Sequence, residues 1–144
     1  MEILLEIITP EKVVYSDKVS EVLVPTDKGE IGILPNHVGL FAKVVPGELT
    51  VKKGNSSHIL AITSGFLEVS AAKVTILADH AIRAENIEVA KAMEAKEKAE
   101  KLMKEKTTDQ DMAMLEGQLR RAMLELNVAR KLKLKGAPKL PSTS

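Results

Sequence analysis

The chain has 144 residues, of which 28% are charged, and its formal net charge is +1. It contains no cysteine and no tryptophan, and its only aromatic residues are Tyr15, Phe41 and Phe66. The lack of cysteine excludes a disulfide framework, a thiol nucleophile and a zinc–thiolate site. The scarcity of aromatic residues predicts a core of isoleucine, leucine and valine. No signal peptide and no apolar run of about 20 residues is present, so we expect no direct insertion into a membrane.

Residues 1–84 have the pattern of an all-β domain. Glycine and proline recur throughout, and short β-branched runs alternate with polar residues between them, as in strands joined by turns. Many short strands with no helix between them predict antiparallel sheets packed face to face as a sandwich. The strand candidates are Ile3–Ile8, Val13–Tyr15, Ser20–Pro25, Ile31–Leu34, Leu40–Val45, Glu48–Lys52, His58–Thr63, Phe66–Ser70 and Lys73–Leu77.

The pattern changes near Asp79. Residues 80–135 contain one glycine and no proline, and they are rich in Ala, Glu, Lys, Met and Leu, which favour helix. A first helix is predicted over Ile87–Glu105, with Asn86 as its N-cap. Its apolar stripe consists of Ala92, Ala95, Ala99, Leu102 and Met103.

A second helix is predicted to begin near Asp109. Thr108 and Asp111 have the spacing of a capping box. The apolar residues that follow are spaced as an a/d seam, so residues 85–135 predict an antiparallel helical hairpin. We expect residues 136–144 to form a disordered tail. The seam residues are Met112, Leu115, Leu119, Ala122, Leu126 and Ala129.

The hairpin is expected to be weakly committed to one conformation, because seams of alanine and methionine bury little apolar area. We therefore hypothesise a two-state element that is either a docked hairpin or a pair of extended helices. The hinges would be Lys106–Thr108 and Asp79–Asn86.

Motifs for catalysis are missing from the sequence. There is no phosphate-binding loop and no dinucleotide glycine fingerprint. His37, His58 and His80 lack metal-ligand spacing. Ser64-Gly65 lacks the remainder of a nucleophile elbow and is better explained as a tight turn. We therefore expect no catalytic site, no metal and no cofactor. Scarce aromatic residues and an acidic sheet also argue against nucleic-acid binding.

The C-terminal part of the chain is basic. From Gly117 onward, the sequence contains seven basic residues and a single acidic one, Glu125. Such a helix end can bind an acidic surface, or it can be a solvated face that complements the helix dipole.

Several motifs resemble the epsilon subunit family of bacterial F-type ATP synthases. Residues 29–37 (Gly-Glu-Ile-Gly-Ile-Leu-Pro-Asn-His) are similar to its Gly-Glu-Leu-Gly-Ile-x-Pro-Gly-His loop. Residues 65–69, 74–79, 81–83 and 92–100 are similar to further family segments in the same order. The resemblance implies a ten-stranded sandwich followed by a helical hairpin.

The resemblance also implies a function. The subunit would be a non-catalytic rotor component of the central stalk, which couples ion flow to ATP synthesis. Its sandwich would meet the gamma subunit and the c-ring through Glu30, Pro35 and His37, although Glu30 is also explained as an ordinary exposed acid. Its helices would extend toward the alpha/beta head and inhibit ATP hydrolysis. The expected contacts to the acidic segment of beta are Arg120, Arg121, Arg130 and Lys131.

Some family members bind ATP on the docked hairpin through an Ile/Leu-Asp-x-x-Arg-Ala motif and additional arginines. Here the motif is Ile87–Ala92, with Glu and Lys in place of Asp and Arg, and Glu125 stands where an arginine is expected. A lysine presents a point charge instead of a planar fork, so we expect ATP to bind weakly or not at all. The residues concerned are Glu88, Lys91, Ala92, Lys98 and Arg121.

The resemblance implies a peripheral position on the cytoplasmic face of the bacterial plasma membrane, within the synthase. The alternative from the residues alone is a stand-alone β-sandwich binding module whose helical arm recognises an acidic or nucleotide partner.

Overall fold

The computed structural model describes residues 1–105 and 107–136, with side chains described as far as Leu132. The chain forms two compact units, Met1–Arg83 and a second that begins at Ala84.

The first unit is built from ten strands. Buried and more exposed residues alternate strictly along the strands Ile3–Ile8 and Glu21–Thr26, so one face of each packs inward. The strand bounds are β1 Ile3–Ile8, β2 Val13–Val19, β3 Glu21–Thr26, β4 Gly29–Ile33, β5 Leu40–Val44, β6 Gly47–Lys53, β7 Ser56–Ile62, β8 Gly65–Val69, β9 Lys73–Ala78 and β10 Ala81–Arg83.

The strands form one curved sheet in the order β10-β7-β6-β3-β5-β8-β9-β1-β2, with β4 paired to β3. Eight of the nine strand pairings are antiparallel, as predicted. The pairing of β1 with β9 is parallel, with Leu4 opposite Lys73 and Ile8 opposite Leu77, and this departs from the predicted antiparallel arrangement. The two end strands, β10 and β2, approach each other, so the sheet curls toward a closed sandwich.

The core of the first unit is aliphatic, as the composition predicts. Tyr15 is its one aromatic member, at 5% exposure. Phe41 and Phe66 lie outside the core. The largest side chains that are completely or almost completely buried are Ile3, Leu5, Ile7, Ile33, Leu49, Leu60, Ile62, Leu67 and Ile76.

The second unit begins with a 3-10 turn, Ala84–Asn86. The predicted N-cap at Asn86 is wrong: the Ile87 amide donates to the Ala84 carbonyl (3.2 Å), and helix α1 begins two residues later, spanning Val89–Met103. Glu88 occupies the N-cap position without a side-chain cap bond.

Helix α2 spans Asp109–Gly136, and its predicted N-cap is confirmed. The Asp111 amide donates to Thr108 Oγ1 at 3.0 Å, which satisfies one of the free amides of the first turn. Gly136, which was assigned to the tail, is the last residue of α2. The remainder of the predicted tail, residues 137–144, and Lys106 of the predicted hinge lie outside the described residues.

The two helices pack along each other through a seam of mostly small residues. Ala95, predicted to lie in the seam, is exposed, and Val128 is buried although it was not predicted to be. The buried seam residues are Ala92, Ala99, Leu115, Ala122 and Val128. Among the described helices, none combines the length and apolar character that a membrane span requires.

Candidate interaction surfaces

The β3–β4 connection presents Glu30 at the surface. Thr26 Oγ1 donates to the Gly29 carbonyl (2.6 Å) and accepts from the Lys28 amide (3.2 Å), so this side chain fixes the turn. Gly29 has φ +104°, which a side chain would rarely tolerate. Glu30 follows it on β4, opposite Pro25, and is exposed. The turn therefore holds a carboxylate outward on a well-defined backbone.

The loop after β4 carries Pro35 and His37, both half-buried. The His37 amide donates to the Leu34 carbonyl (3.1 Å). His37 Nδ1 lies 2.7 Å from the Val38 carbonyl, and because a carbonyl only accepts, this nitrogen carries the hydrogen. Asn36 has φ +64°, the left-handed conformation that asparagine tolerates better than most residues. The loop conformation is therefore set locally, by main-chain bonds and by this asparagine.

An exposed apolar surface lies on β5, β8 and β9, and we name its residues Phe41, Phe66 and Leu77 the outer apolar surface. They are 68%, 50% and 52% exposed. The Phe41 and Phe66 rings stack with centroids 5.7 Å apart, and Phe66 is opposite Leu77 in the β8–β9 ladder. Lys43 is opposite Phe66 in the β5–β8 ladder, which sets a cation beside the apolar side chains.

Shallow open hollows flank this surface on either side. One, of about 460 Å³, is lined mostly by apolar atoms of the ends of β1 and β9 and the start of β8. The other, of about 340 Å³, lies between the β3–β4 turn and β5. Apolar residues that are exposed together, with hollows beside them, indicate a surface that a partner covers.

Sequence reasoning missed the outer apolar surface, although the strand alternation contains the signal. In β8 the buried positions are Leu67 and Val69, so Phe66 and Glu68 must face outward. In β5, Phe41 and Lys43 are exposed by the same rule. The two phenylalanines should therefore have been assigned to the outside of the sandwich.

The four basic residues predicted to contact an acidic partner are all exposed on α2, but they do not form one cluster. Arg120 and Lys131 lie about 20° apart around the helix and roughly 16 Å apart along it. Arg121 pairs with Glu125 (Nε–Oε2 3.4 Å), and Arg130 donates to Asn127 Oδ1 (3.3 Å). Only Arg120 and Lys131 therefore share one face of the helix.

Two of the cations considered for nucleotide binding form ion pairs within the chain. Lys91 Nζ lies 3.0 Å from Glu88 Oε2, and Arg121 pairs with Glu125. Ala92 is buried in the helix seam, whereas Lys98 is exposed. Carboxylates thus lie beside two of the three cations that an anionic ligand would need. Within residues 1–105 and 107–136, no group of three His, Asp or Glu side chains is placed to hold a metal ion.

Comparison with known proteins places both units in one family. Residues 2–84 match the ATP synthase delta/epsilon chain beta-sandwich domain. Residues 85–130 match the long alpha-helix domain of the same delta/epsilon chain. The chain belongs to the ATP synthase delta/epsilon chain family. The resemblance inferred from the sequence is therefore confirmed, together with the β-sandwich and two-helix fold.

Bacterial relatives carry the name ATP synthase epsilon chain. One from Dehalococcoides mccartyi is 44% identical over 128 residues, covering 88% of this chain and 91% of the relative. One from Chloroflexus aggregans is 43% identical over 135 residues, covering 94% and 97%. Within the family, the epsilon-chain prediction is confirmed.

Solved structures support the fold. A chain of the Euglena gracilis mitochondrial ATP synthase (OSCP/F1/c-ring) aligns with a TM-score of 0.62 at 22% identity, covering 93% of this chain and 81% of that one. A chain of the Tetrahymena thermophila mitochondrial ATP synthase central stalk and c-ring aligns with a TM-score of 0.61 at 15% identity, covering 90% and 97%.

Proposed function

We propose that the chain is a non-catalytic central-stalk subunit of an F-type ATP synthase. In this role it couples transmembrane ion flow to ATP synthesis, and its C-terminal helices inhibit ATP hydrolysis. The observation that carries the proposal is the match of both units to the delta/epsilon family, over residues 2–84 and 85–130. The aligned structures come from assemblies described as F1/c-ring and central stalk/c-ring.

The sandwich is the docking unit in this proposal. The outer apolar surface supplies area that the gamma subunit would cover, because stacked phenylalanines exposed to water gain free energy when a partner buries them. Glu30, Pro35 and His37 supply the polar edge toward gamma and the c-ring loops. Glu30 is exposed on a fixed turn, so it is available to basic loop residues of the ring.

The helical unit is the regulatory arm. Extended, it would bring Arg120, Arg121, Arg130 and Lys131 to the acidic segment of the beta subunit. Arg120 and Lys131, on one helix face, are suited to a single acidic strip, and Arg130 and Arg121 would contact it only at its margins. The seam of small residues supports a two-state arm, because little apolar area is lost when the hairpin opens.

Nucleotide control of the arm is weak or absent in this proposal. Glu88 and Glu125 are the ion-pair partners of Lys91 and Arg121, and both carboxylates would repel a phosphate. Calorimetry of the full chain with ATP is expected to show no micromolar binding. A micromolar dissociation constant would overturn this part of the proposal.

The subunit would be peripheral, on the cytoplasmic face of a bacterial plasma membrane, and held there by gamma and the c-ring. Relatives that are 43–44% identical to it are bacterial. Because gamma and the c-ring would hold the subunit in place, the outer apolar surface is assigned to a protein partner and not to lipid.

Two linked measurements test the function. First, the full chain is used to pull down the gamma subunit of the same organism's synthase. Second, ATP hydrolysis is measured on the synthase lacking this subunit, after addition of the full chain or of residues 1–86. We expect both forms to bind gamma and only the full chain to inhibit. Failure to bind gamma would leave the stand-alone binding module as the better explanation.

The basic face of the arm is tested by charge reversal. Arg120→Glu with Lys131→Glu should relieve inhibition of hydrolysis while gamma binding is retained. Lys101→Glu, an exposed lysine on α1, is the matched control and should inhibit as the parent does. Inhibition that survives the double reversal would refute the assigned contact.

A further inference from the structure

The two end strands of the sheet meet along a seam that has no backbone ladder. β10 pairs with β7 and β2 pairs with β1, and no described residue of β10 pairs with β2 by main-chain ladder bonds. The strands nevertheless come close to each other. Edge strands with unpaired main-chain groups need another partner. Where no ladder forms, side-chain contacts across the seam must hold the two edges together.

Arg83, the last residue of β10, crosses the seam. Its Nε and Nη2 both donate to the Val14 carbonyl of β2, at 3.3 and 3.2 Å. Its guanidinium carbon lies 4.9 Å from the centre of the Tyr15 ring, within cation–π distance. One side chain thus satisfies a main-chain acceptor of the opposite edge and packs on the buried aromatic ring beside it.

A second basic contact reaches β2 farther along its length, from β6 and not from β10. Lys53, at the end of β6, donates to Asp17 Oδ2 at 2.5 Å, and this bond holds the pKa of Asp17 below its ordinary value. The Ser20 amide donates to the Lys52 carbonyl at 2.7 Å. The far half of β2 is therefore fixed to the β6–β7 hairpin without help from β10.

The contacts with the Val14 carbonyl and the Tyr15 ring, in the first half of β2, require an arginine. A guanidinium offers several N–H groups in a planar fork and a flat face that stacks on an aromatic ring. A lysine in the same place offers one compact ammonium, which cannot reproduce the paired bonds together with the stacking. β10 has only three residues, and its ladder to β7 is correspondingly short.

We propose that Arg83 is a latch that closes the sheet between β10 and β2 and thereby fixes the point at which the helical unit begins. The next residue, Ala84, is the first of the second unit. His80, just before β10, is bound to Thr63 independently of Arg83. The His80 amide donates to Thr63 Oγ1 (2.9 Å), and the Thr63 amide donates to the His80 carbonyl (3.0 Å). When the latch opens, residues 81–83 are held only by their short ladder to β7, so the point at which the helical unit begins is less firmly fixed. The inference does not depend on the proposed function.

Amide hydrogen exchange on the full-length chain tests the latch. Arg83→Ala should raise exchange about tenfold in residues 13–15 and 81–83, with no change in β8 and β9. Arg83→Lys should give the same local pattern with a smaller amplitude. Lys28→Ala, an exposed lysine of the β3–β4 turn, is the matched control and should match the parent.

Two outcomes would overturn the latch. Parent-like exchange in residues 13–15 and 81–83 of Arg83→Ala would mean that the Arg83 contacts do not stabilise the seam between β10 and β2. An equal rise in every strand would mean that Arg83 serves general stability. If Arg83→Ala does not fold, Arg83→Lys decides by the same two criteria.

Cleavage by a glutamate-specific protease gives an independent readout at the boundary. Glu85 is exposed in the turn directly after Arg83. Cleavage there should be about tenfold faster in Arg83→Ala and unchanged in Lys28→Ala. Equal cleavage rates in all three proteins would contradict a latch at the boundary.

Discussion

Phe41→Ala is the sharpest test of the outer apolar surface. A phenylalanine buries roughly 150–250 Å² when fully covered. Because Phe41 is 68% exposed, roughly 100–170 Å² remains for a partner to cover. At about 25 cal/mol per Å², and allowing for what alanine retains, the loss is about 2–3 kcal/mol. The dissociation constant for gamma should then rise roughly 30- to 150-fold.

Calorimetry of the full chain against gamma measures this effect, and the thermal midpoint of the free chain checks the fold. The midpoint should fall by no more than a few degrees, because Phe41 in the free protein contributes mainly its stacking on Phe66, worth about 0.5–1.5 kcal/mol. His58→Ala removes an exposed ring from β7, three strands from β5 in the sheet order, and serves as the control. A gamma affinity of Phe41→Ala within twofold of the parent would refute the assignment of this surface to gamma.

Three further changes probe the packing. Gly65→Ala should destabilise the sandwich by about 3 kcal/mol in urea unfolding, because the new Cβ would lie 1.9 Å from the Leu77 carbonyl oxygen; a loss below about 0.5 kcal/mol would contradict it. Gly117→Ala should stabilise α2 by about 1 kcal/mol in amide exchange, because a Cβ there meets open space; slower exchange confined to other elements would count against it. Asp17→Asn should lower the thermal midpoint more at pH 7 than at pH 2.5. The bond to Lys53 lowers the pKa of Asp17 below its ordinary 3.8 in the folded state, so its contribution is fully present above pH 3.8 and is lost as the pH falls through the lowered pKa. An equal deficit at both pH values would exclude this explanation.

Local pattern located most of the strands but not all their bounds. β2 was predicted to end at Tyr15, because Ser16, Asp17 and Lys18 are poor strand formers. It continues to Val19 because β1 pairs with it along its whole length, a long-range contact that no local window contains. The parallel β1–β9 pairing has the same origin, since it joins residues about 70 positions apart.

Elements of only three residues were harder to predict than the bounds of the longer strands. β10 was not assigned from the residues, since three residues carry too little alternation to be distinguished from a loop. The structure defines it by its ladder to Ile62 and by the Arg83 contacts with Val14. The Asn86 cap failed because the chain first makes a 3-10 turn, whose bond from Ile87 to Ala84 uses the amide nearest to the predicted cap.

The candidate surfaces were predicted only where composition marks them. The basic run on α2 is visible in the sequence, but its ion pair between Arg121 and Glu125 depends on helix geometry that only the structure fixes. The outer apolar surface was missed because the scarcity of aromatic residues was used only to predict an aliphatic core, and Phe41 and Phe66 were not assigned to either face of their strands. In fact Phe41 and Phe66 stack outside a core that isoleucine, leucine and valine already fill.

The two units differ in what their buried positions contribute. In the sandwich, fully buried residues such as Leu5, Ile7 and Leu67 each gain about 1.5–3 kcal/mol relative to exposure. In the helix seam, Ala92 and Ala99 each bury a side chain of a single methyl group, worth about 0.8 kcal/mol. Resistance to local opening should therefore fall at the boundary that Arg83 marks. A stiff sandwich that presents fixed apolar side chains suits docking, and a weakly packed hairpin beyond it suits an arm that changes conformation.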